Sequence, residues 1–223
     1  MGEDFGFIIE KTIIMKEKER KIMKKTNNKG FSLVELIIVI AIMAILAGAI
    51  APALIKYIDK SRKSNDVSSA KTIKTAIETA LGTESVYETL TNSGTNTATV
   101  VSVIPGKQTA STEAGTGTTG VKISGCTKAD GGAEIVDCAK AIGSNIGEKT
   151  PKIKYKKKID TNGKKADGTT GIEPTQFTAF ITPGGSVYVC VGSASATLTG
   201  ISSGNPTFTN CAQLAPEVCE GYQ

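Results

Sequence analysis

Three patterns of apolar and polar positions divide the chain. From Leu36 to Ile55, twenty residues run LIIVIAIMAILAGAIAPALI without a charged side chain and without a polar face. At about 1.5 Å per residue such a helix is roughly 30 Å long, the thickness of a bilayer's hydrocarbon core. The apolar region of a cleaved secretory signal is only ~7–15 residues, so a retained membrane span is the expectation. Beyond it Leu54, Tyr57, Ile58, Val67, Ala70, Ile73, Ala76, Ile77, Ala80 and Leu81 recur at helical spacing. Lys60, Lys63, Lys71, Lys74 and Glu78 occupy other faces, and Gly82 offers a C-terminal stop. One helix from Phe31 to Leu81 follows, apolar all round in its first half and one-sided in its second. That second half needs a soluble partner to cover its stripe.

The partner predicted by the remaining pattern is a sheet. Residues 83–120, rich in Thr, Ser and Gly, read mostly as loop, with a strand over Val100–Ile104. Val121–Ser124 is a second strand, and Ala133–Ile142 before Gly143 a short helix. Strands over Lys152–Ile159 and Thr175–Thr182 follow, and Pro183-Gly184-Gly185 turns the chain into Ser186–Val191 as a hairpin. The rest, to Gln223, is Thr/Ser/Gly-rich. The fold class is therefore α+β: a long N-terminal helix over 31–82, its span at about 36–55, packed on an antiparallel sheet of a globular domain at 83–223.

Composition narrows the chemistry. There is no His, no Trp and only 5% aromatic residues, which removes the usual general base and the Ser-His and Cys-His pairings. No constellation of catalytic residues is visible, so neither an enzyme nor a cofactor is expected. The net charge is +5, much of it in the first 30 residues, and the remainder carries no strong nucleic-acid footprint. Lys24, Lys25 and Lys29 precede the span while Lys56, Lys60, Arg62 and Lys63 follow it, so charge alone orients it only weakly. The alternation of Lys with Ile153, Tyr155 and Ile159 reads as a strand with one solvated face, or as a basic stripe meeting a partner.

All five cysteines, Cys126, Cys138, Cys190, Cys211 and Cys219, lie far beyond the span. No C-x-x-C pair occurs among them, and without His no metal site is expected. Two disulfides with one thiol left over fit an oxidising compartment and place this part outside the cytoplasm. Cys126 with Cys138 is one local staple; Cys190 with Cys211 or Cys219 is another, and spacing does not choose among the pairings. Each loop would contribute roughly 2–4 kcal/mol. Two weaker patterns carry little. Gly115, Gly117 and Gly120 form a G-x-G-x-x-G that follows no strand. Asp160, Asn162 and Asp167 form a polar turn interrupted by Lys164 and Lys165, which argues against calcium.

One residue breaks the logic of the apolar stretch. Glu35 stands at its start, and a carboxylate deep in a bilayer costs ~2.5–3.5 kcal/mol on insertion scales. It is either solvated at the headgroups or met by a cation, and the span holds no Lys or Arg. A cut between Gly30 and Phe31 would supply one, because the new α-amino group begins the helix one turn before Glu35. A neighbouring subunit's terminal amine would serve equally.

The run K-G-F-S-L-V-E, Lys29 to Glu35, followed by the apolar span, resembles the processing motif of type IV prepilins and their pseudopilin relatives. The resemblance covers about 30 residues, in which leader, Gly-Phe junction, Glu and span fall in register. It implies cleavage after Gly30 by a dedicated prepilin peptidase on the cytoplasmic side and methylation of Phe31. It implies that Glu35 registers each incoming subunit, and that Gly48 and Pro52 weaken the helix. Met23 would open the short basic leader MKKTNNKG; residues 1–22 then read as a wrongly chosen start or as a longer leader. The partners implied are other pilin subunits in a homopolymer, the assembly machinery, and the membrane before assembly. The localisation implied is single-pass in the cell membrane as precursor and extracellular once assembled in the pilus, which would serve adhesion or surface motility. A minor pilin, a pseudopilin of a secretion or DNA-uptake filament, and a membrane-anchored adhesin are the alternatives.

Overall fold

The computed structural model describes residues 30–92, 97–107, 120–126, 133–147, 149–161, 163, 168, 171–204 and 206–223. The leader up to residue 29, Gly115 and Gly117 of the glycine pattern, and Asn162 and Asp167 of the polar turn lie outside them. The chain divides into two compact units, Met1–Pro52 and Ala53–Gln223. Helix α1 (Leu33–Leu81) begins in the first and supplies its second half to the other. It ends where the pattern predicts, at Gly82, whose N–H turns back to the Thr79 carbonyl at 3.3 Å while Thr83 N–H reaches Ala80 at 3.1 Å. These tighter bonds satisfy carbonyls that the last turn would otherwise leave open.

In the second unit α1 is followed by α2 (Glu84–Thr91), β1 (Thr99–Ile104), β2 (Gly106–Lys107), β3 (Gly120–Ser124) and α3 (Ala133–Ile146). Then come β4 (Lys149–Thr150), β5 (Gln176–Ile181), β6 (Val187–Thr199), β7 (Thr207–Ala215) and a 3-10 turn at Glu220–Tyr222. The main sheet has the order β3-β1-β5-β6-β7 with every neighbouring pair antiparallel; β2 and β4 form a separate small ladder. The α+β class is thus observed.

Four elements differ from the reading of the sequence. Residues 84–91 are helix rather than loop. Their only apolar signal is Val86 and Leu90, one turn apart and both buried, and burial rather than propensity holds so short a helix. Helix α3 runs through Gly143 to Ile146 because Ile142 and Ile146 continue the stripe of Ile135 against the core. Residues 152–158 form no strand, and Ile159 contributes only an isolated bridge to Ile172. The last strand pair, β6 with β7, extends the hairpin well past Val191 into the Thr/Ser-rich tail.

The sheet has two covered faces. On one, Val101, Val103, Phe177, Ala179, Ile181, Val189, Val191 and Leu214 pack with Ala70, Ile73 and Ile77 of α1 and with Ile135 and Ile142 of α3. On the other, Phe180, Cys190, Leu198 and Cys211 form a smaller cluster with Tyr188 and Phe208 beside it. Phe208 and Cys211 share that face although three positions apart, a spacing that regular pleating forbids. A register irregularity between Gly192 and Thr197, with Asn210 at φ 61°, resets the alternation.

Gly192 is required by that approach of strands. A Cβ there would lie 2.4 Å from the Asn210 carbonyl oxygen and 2.6 Å from the Cys211 Cβ. Gly192→Ala is therefore expected to destabilise the second unit by about 2–4 kcal/mol through backbone displacement. A denaturant midpoint equal to that of the parent chain would contradict this.

Candidate functional site

Among the described residues, the apolar half of α1 is exposed along its length. From Leu33 to Ile55 its large apolar side chains are 47–73% exposed. With fourteen such side chains roughly half exposed, immersion in water would cost on the order of 10–20 kcal/mol. That equals or exceeds the whole stability of an ordinary domain. A surface of that kind calls for an apolar covering, and α1 is long and apolar enough to cross a membrane.

The N-terminus of that helix is built around Glu35. Ser32 is the N-cap: its carbonyl accepts from Leu36 N–H at 3.2 Å, and its own N–H donates to Glu35 Oε2 at 2.9 Å. The spacing Ser32-x-x-Glu35 is that of a capping box. The carboxylate therefore turns back over the chain entry, next to Phe31, which is 89% exposed, and Gly30, which has no atom near where a Cβ would stand. A positive charge at the α-nitrogen of Phe31 would arise one residue from the N–H that Glu35 already binds. Glu35 also lies at the positive end of the helix dipole, which favours an anion.

Gly48 and Pro52 are two ends of one defect. The helix passes through both. Pro52 has no N–H, so the Gly48 carbonyl lacks the donor that an i→i−4 bond would supply. The weakest helix former apart from proline occupies the same turn. This is the physical content of a weakened position.

In the second unit, Asp66 is fully buried on the stripe of α1 that carries Ala70 and Ile73. Its carboxylate accepts Lys154 N–H at 2.7 Å and Tyr155 N–H at 2.9 Å. These bonds explain why residues 152–158 look like a strand in sequence. Ile153 and Tyr155 alternate inward against exposed lysines, but a side chain from α1 takes the place of a ladder partner. Burial raises the Asp66 pKa, outweighing the two N–H donors and nearby Lys154. Around it, Tyr155 packs edge-on to Tyr222 at 5.6 Å, Lys63 Nζ sits 5.3 Å from the Tyr155 ring centre, and Lys157 pairs with Asp59. The sequence reading missed Asp66; its signal is a charged residue at a position that the period of Ala70, Ile73 and Ile77 assigns to the core.

Cys190 and Cys211 meet in the smaller cluster, both with no exposed surface, on neighbouring strands. Burial and then the hydrogen bond to Cys211 push the Cys190 thiol well up. Cys219 precedes the C-terminal 3-10 turn and packs on the larger core with Cys126 and Cys138. Among the described residues no cluster of metal-ligating side chains occurs.

The described residues thus present a long helix whose exposed apolar half opens on one carboxylate, and a small α+β unit. Comparison with known proteins is specific. The family model described as the prokaryotic N-terminal methylation motif matches residues 25–51. One type IV major fimbrial protein FimA of Dichelobacter nodosus is 37% identical over 117 residues, covering 50% of this chain and 71% of the relative. Another FimA of that organism is 46% identical over 57 residues, 26% of this chain and 36% of the relative. Fimbrial protein Q of Moraxella bovis is 49% identical over 53 residues, 24% of this chain and 34% of the relative. The chain belongs to the type IV fimbrial protein family. It spans only about a third of several of these relatives, and no solved structure matches it.

Proposed function

We propose that this chain is the structural subunit of a type IV pilus, which serves adhesion or surface motility. It enters the membrane as a single-pass precursor and is cut after Gly30 by a prepilin peptidase. It is methylated at Phe31 and polymerised with copies of itself by the pilus assembly machinery. The observation that carries the reading is the uncovered helix from Leu33 to Ile55. Lipid covers it before assembly and identical helices cover it afterwards, so leaving the bilayer costs little apolar burial. Glu35 sets the register by meeting a terminal amine, and the Gly48–Pro52 turn gives way as helices pack. The test is abundance: this chain should be the dominant band in filaments sheared from the cell surface. A trace component beneath another major band would favour a minor pilin, a pseudopilin or an anchored adhesin instead.

In the oxidising exterior, the buried neighbours Cys190 and Cys211 close a disulfide across β6 and β7. With a loop of about 20 residues it would contribute roughly 3 kcal/mol. Alkylation of the denatured, unreduced protein should leave these two unmodified until reductant is added; their modification without reductant would contradict the pairing.

A further inference from the structure

The stripe of α1 that enters the core through Ala70, Ile73 and Ile77 continues towards the span as Asp66, Lys63, Asp59 and Lys56, in steps of three and four, with Lys60 beside Asp59. At Asp66 and beyond it is buried, whereas below Asp66 it opens. There Lys56, Asp59, Lys60 and Lys63 line an open groove with Tyr155, Lys157 and Gln223. Asp59 is engaged by Lys157, and Lys63 stands over the Tyr155 ring. Among the described residues neither Lys56 nor Lys60 forms an ion pair, and both are exposed. The groove therefore keeps an excess of positive charge facing outward.

We infer that this groove binds the phosphate groups of anionic lipids before assembly. The inference rests on the single-pass reading proposed above. Position is the first argument. Lys56 follows the last residue of the apolar span, Lys60 lies about 6 Å further along the axis and Lys63 about 10 Å. The headgroup layer on each side of the hydrocarbon core is about 5–7 Å thick. Lys56 and Lys60 thus stand within it, and Lys63, whose ammonium sits against the Tyr155 ring, flanks it further along the helix. Charge is the second argument. Cations that follow a span on the side away from its basic leader work against the usual bias of charge, and phosphates at the same depth balance them.

The test uses the full chain reconstituted into vesicles of phosphatidylcholine alone and of equal parts phosphatidylcholine and phosphatidylglycerol. Amine acylation is read lysine by lysine by mass spectrometry, and alkaline carbonate extraction reports insertion. Acylation of Lys56, Lys60 and Lys63 should slow about fivefold in the anionic vesicles, the equivalent of ~1 kcal/mol per lysine. Lys71, further along α1, should not change. The slowing should fade at high salt, and the residual lysines of a Lys56→Gln/Lys60→Gln chain should show less of it while insertion persists. Equal rates in both vesicles overturn the inference but leave the span intact. Protection of these lysines only in assembled filaments also overturns it, and assigns the groove to an acidic face of a second copy. Extraction by carbonate from both vesicles overturns the single-pass reading, and this inference with it.

Discussion

Glu35→Ala is expected to leave membrane insertion intact and to cut the yield of sheared filament by about a hundredfold or more. The two effects separate by magnitude. Removing the carboxylate relieves a membrane cost of ~2.5–3.5 kcal/mol, which offsets the ~0.5–2 kcal/mol lost with the capping bond from Ser32 N–H. Insertion is therefore no worse. In a filament core the same change leaves a terminal ammonium without its counter-charge, and breaking a buried pair costs ~3–5 kcal/mol, a hundredfold or more in association. Glu35→Gln distinguishes the roles, because glutamine can complete a capping box but carries no charge. If it fails like alanine, charge pairing is what counts; filament yields matching the parent chain would leave only the cap.

Asp66→Ala is expected to destabilise the second unit by about 2–5 kcal/mol, since it strands two N–H groups that its carboxylate now accepts. Segment 151–160 should exchange its amides much faster while β5 and β6 stay protected. The pH dependence has a definite sign. Burial raises the Asp66 pKa above that of an ordinary aspartate, so between the unfolded value and the higher folded one the native state binds more protons than the unfolded chain. Stability attributable to Asp66 is then greatest in acid and falls as pH rises through the folded pKa. The gap between parent and Asp66→Ala should widen as pH falls from 7 towards 4. A gap that narrows would mean that the N–H bonds, not burial, dominate.

How much of this was legible in the sequence follows from what each residue had to signal. α1 is visible because twenty consecutive uncharged residues and then a long period leave no other element. The β5–β6 hairpin is visible because Pro183-Gly184-Gly185 separates two β-rich runs, and the turn closes with Thr182 N–H on the Ser186 carbonyl at 3.0 Å. α2 is hidden because two apolar residues make no pattern. β7 is hidden because its residues are mostly small or polar and the bulge at Asn210 breaks its alternation. Residues 152–158 mislead because alternating burial looks the same whether the backbone pairs with a strand or with Asp66. The proposed N-terminal site rests on Gly30, Phe31 and Glu35 standing close together in sequence, and what the structure adds there is the bond from Ser32 N–H to Glu35. The meeting of Cys190 with Cys211 required the register of β6 and β7.

The central claim is that cutting between Gly30 and Phe31 creates the charge that Glu35 meets when helices pack. Mass spectrometry of the N-terminal peptide from sheared surface filaments tests it most directly. The account predicts a chain that starts at Phe31 and bears an N-methyl group. A filament subunit that still carries Gly30 and the basic residues before it would contradict the account.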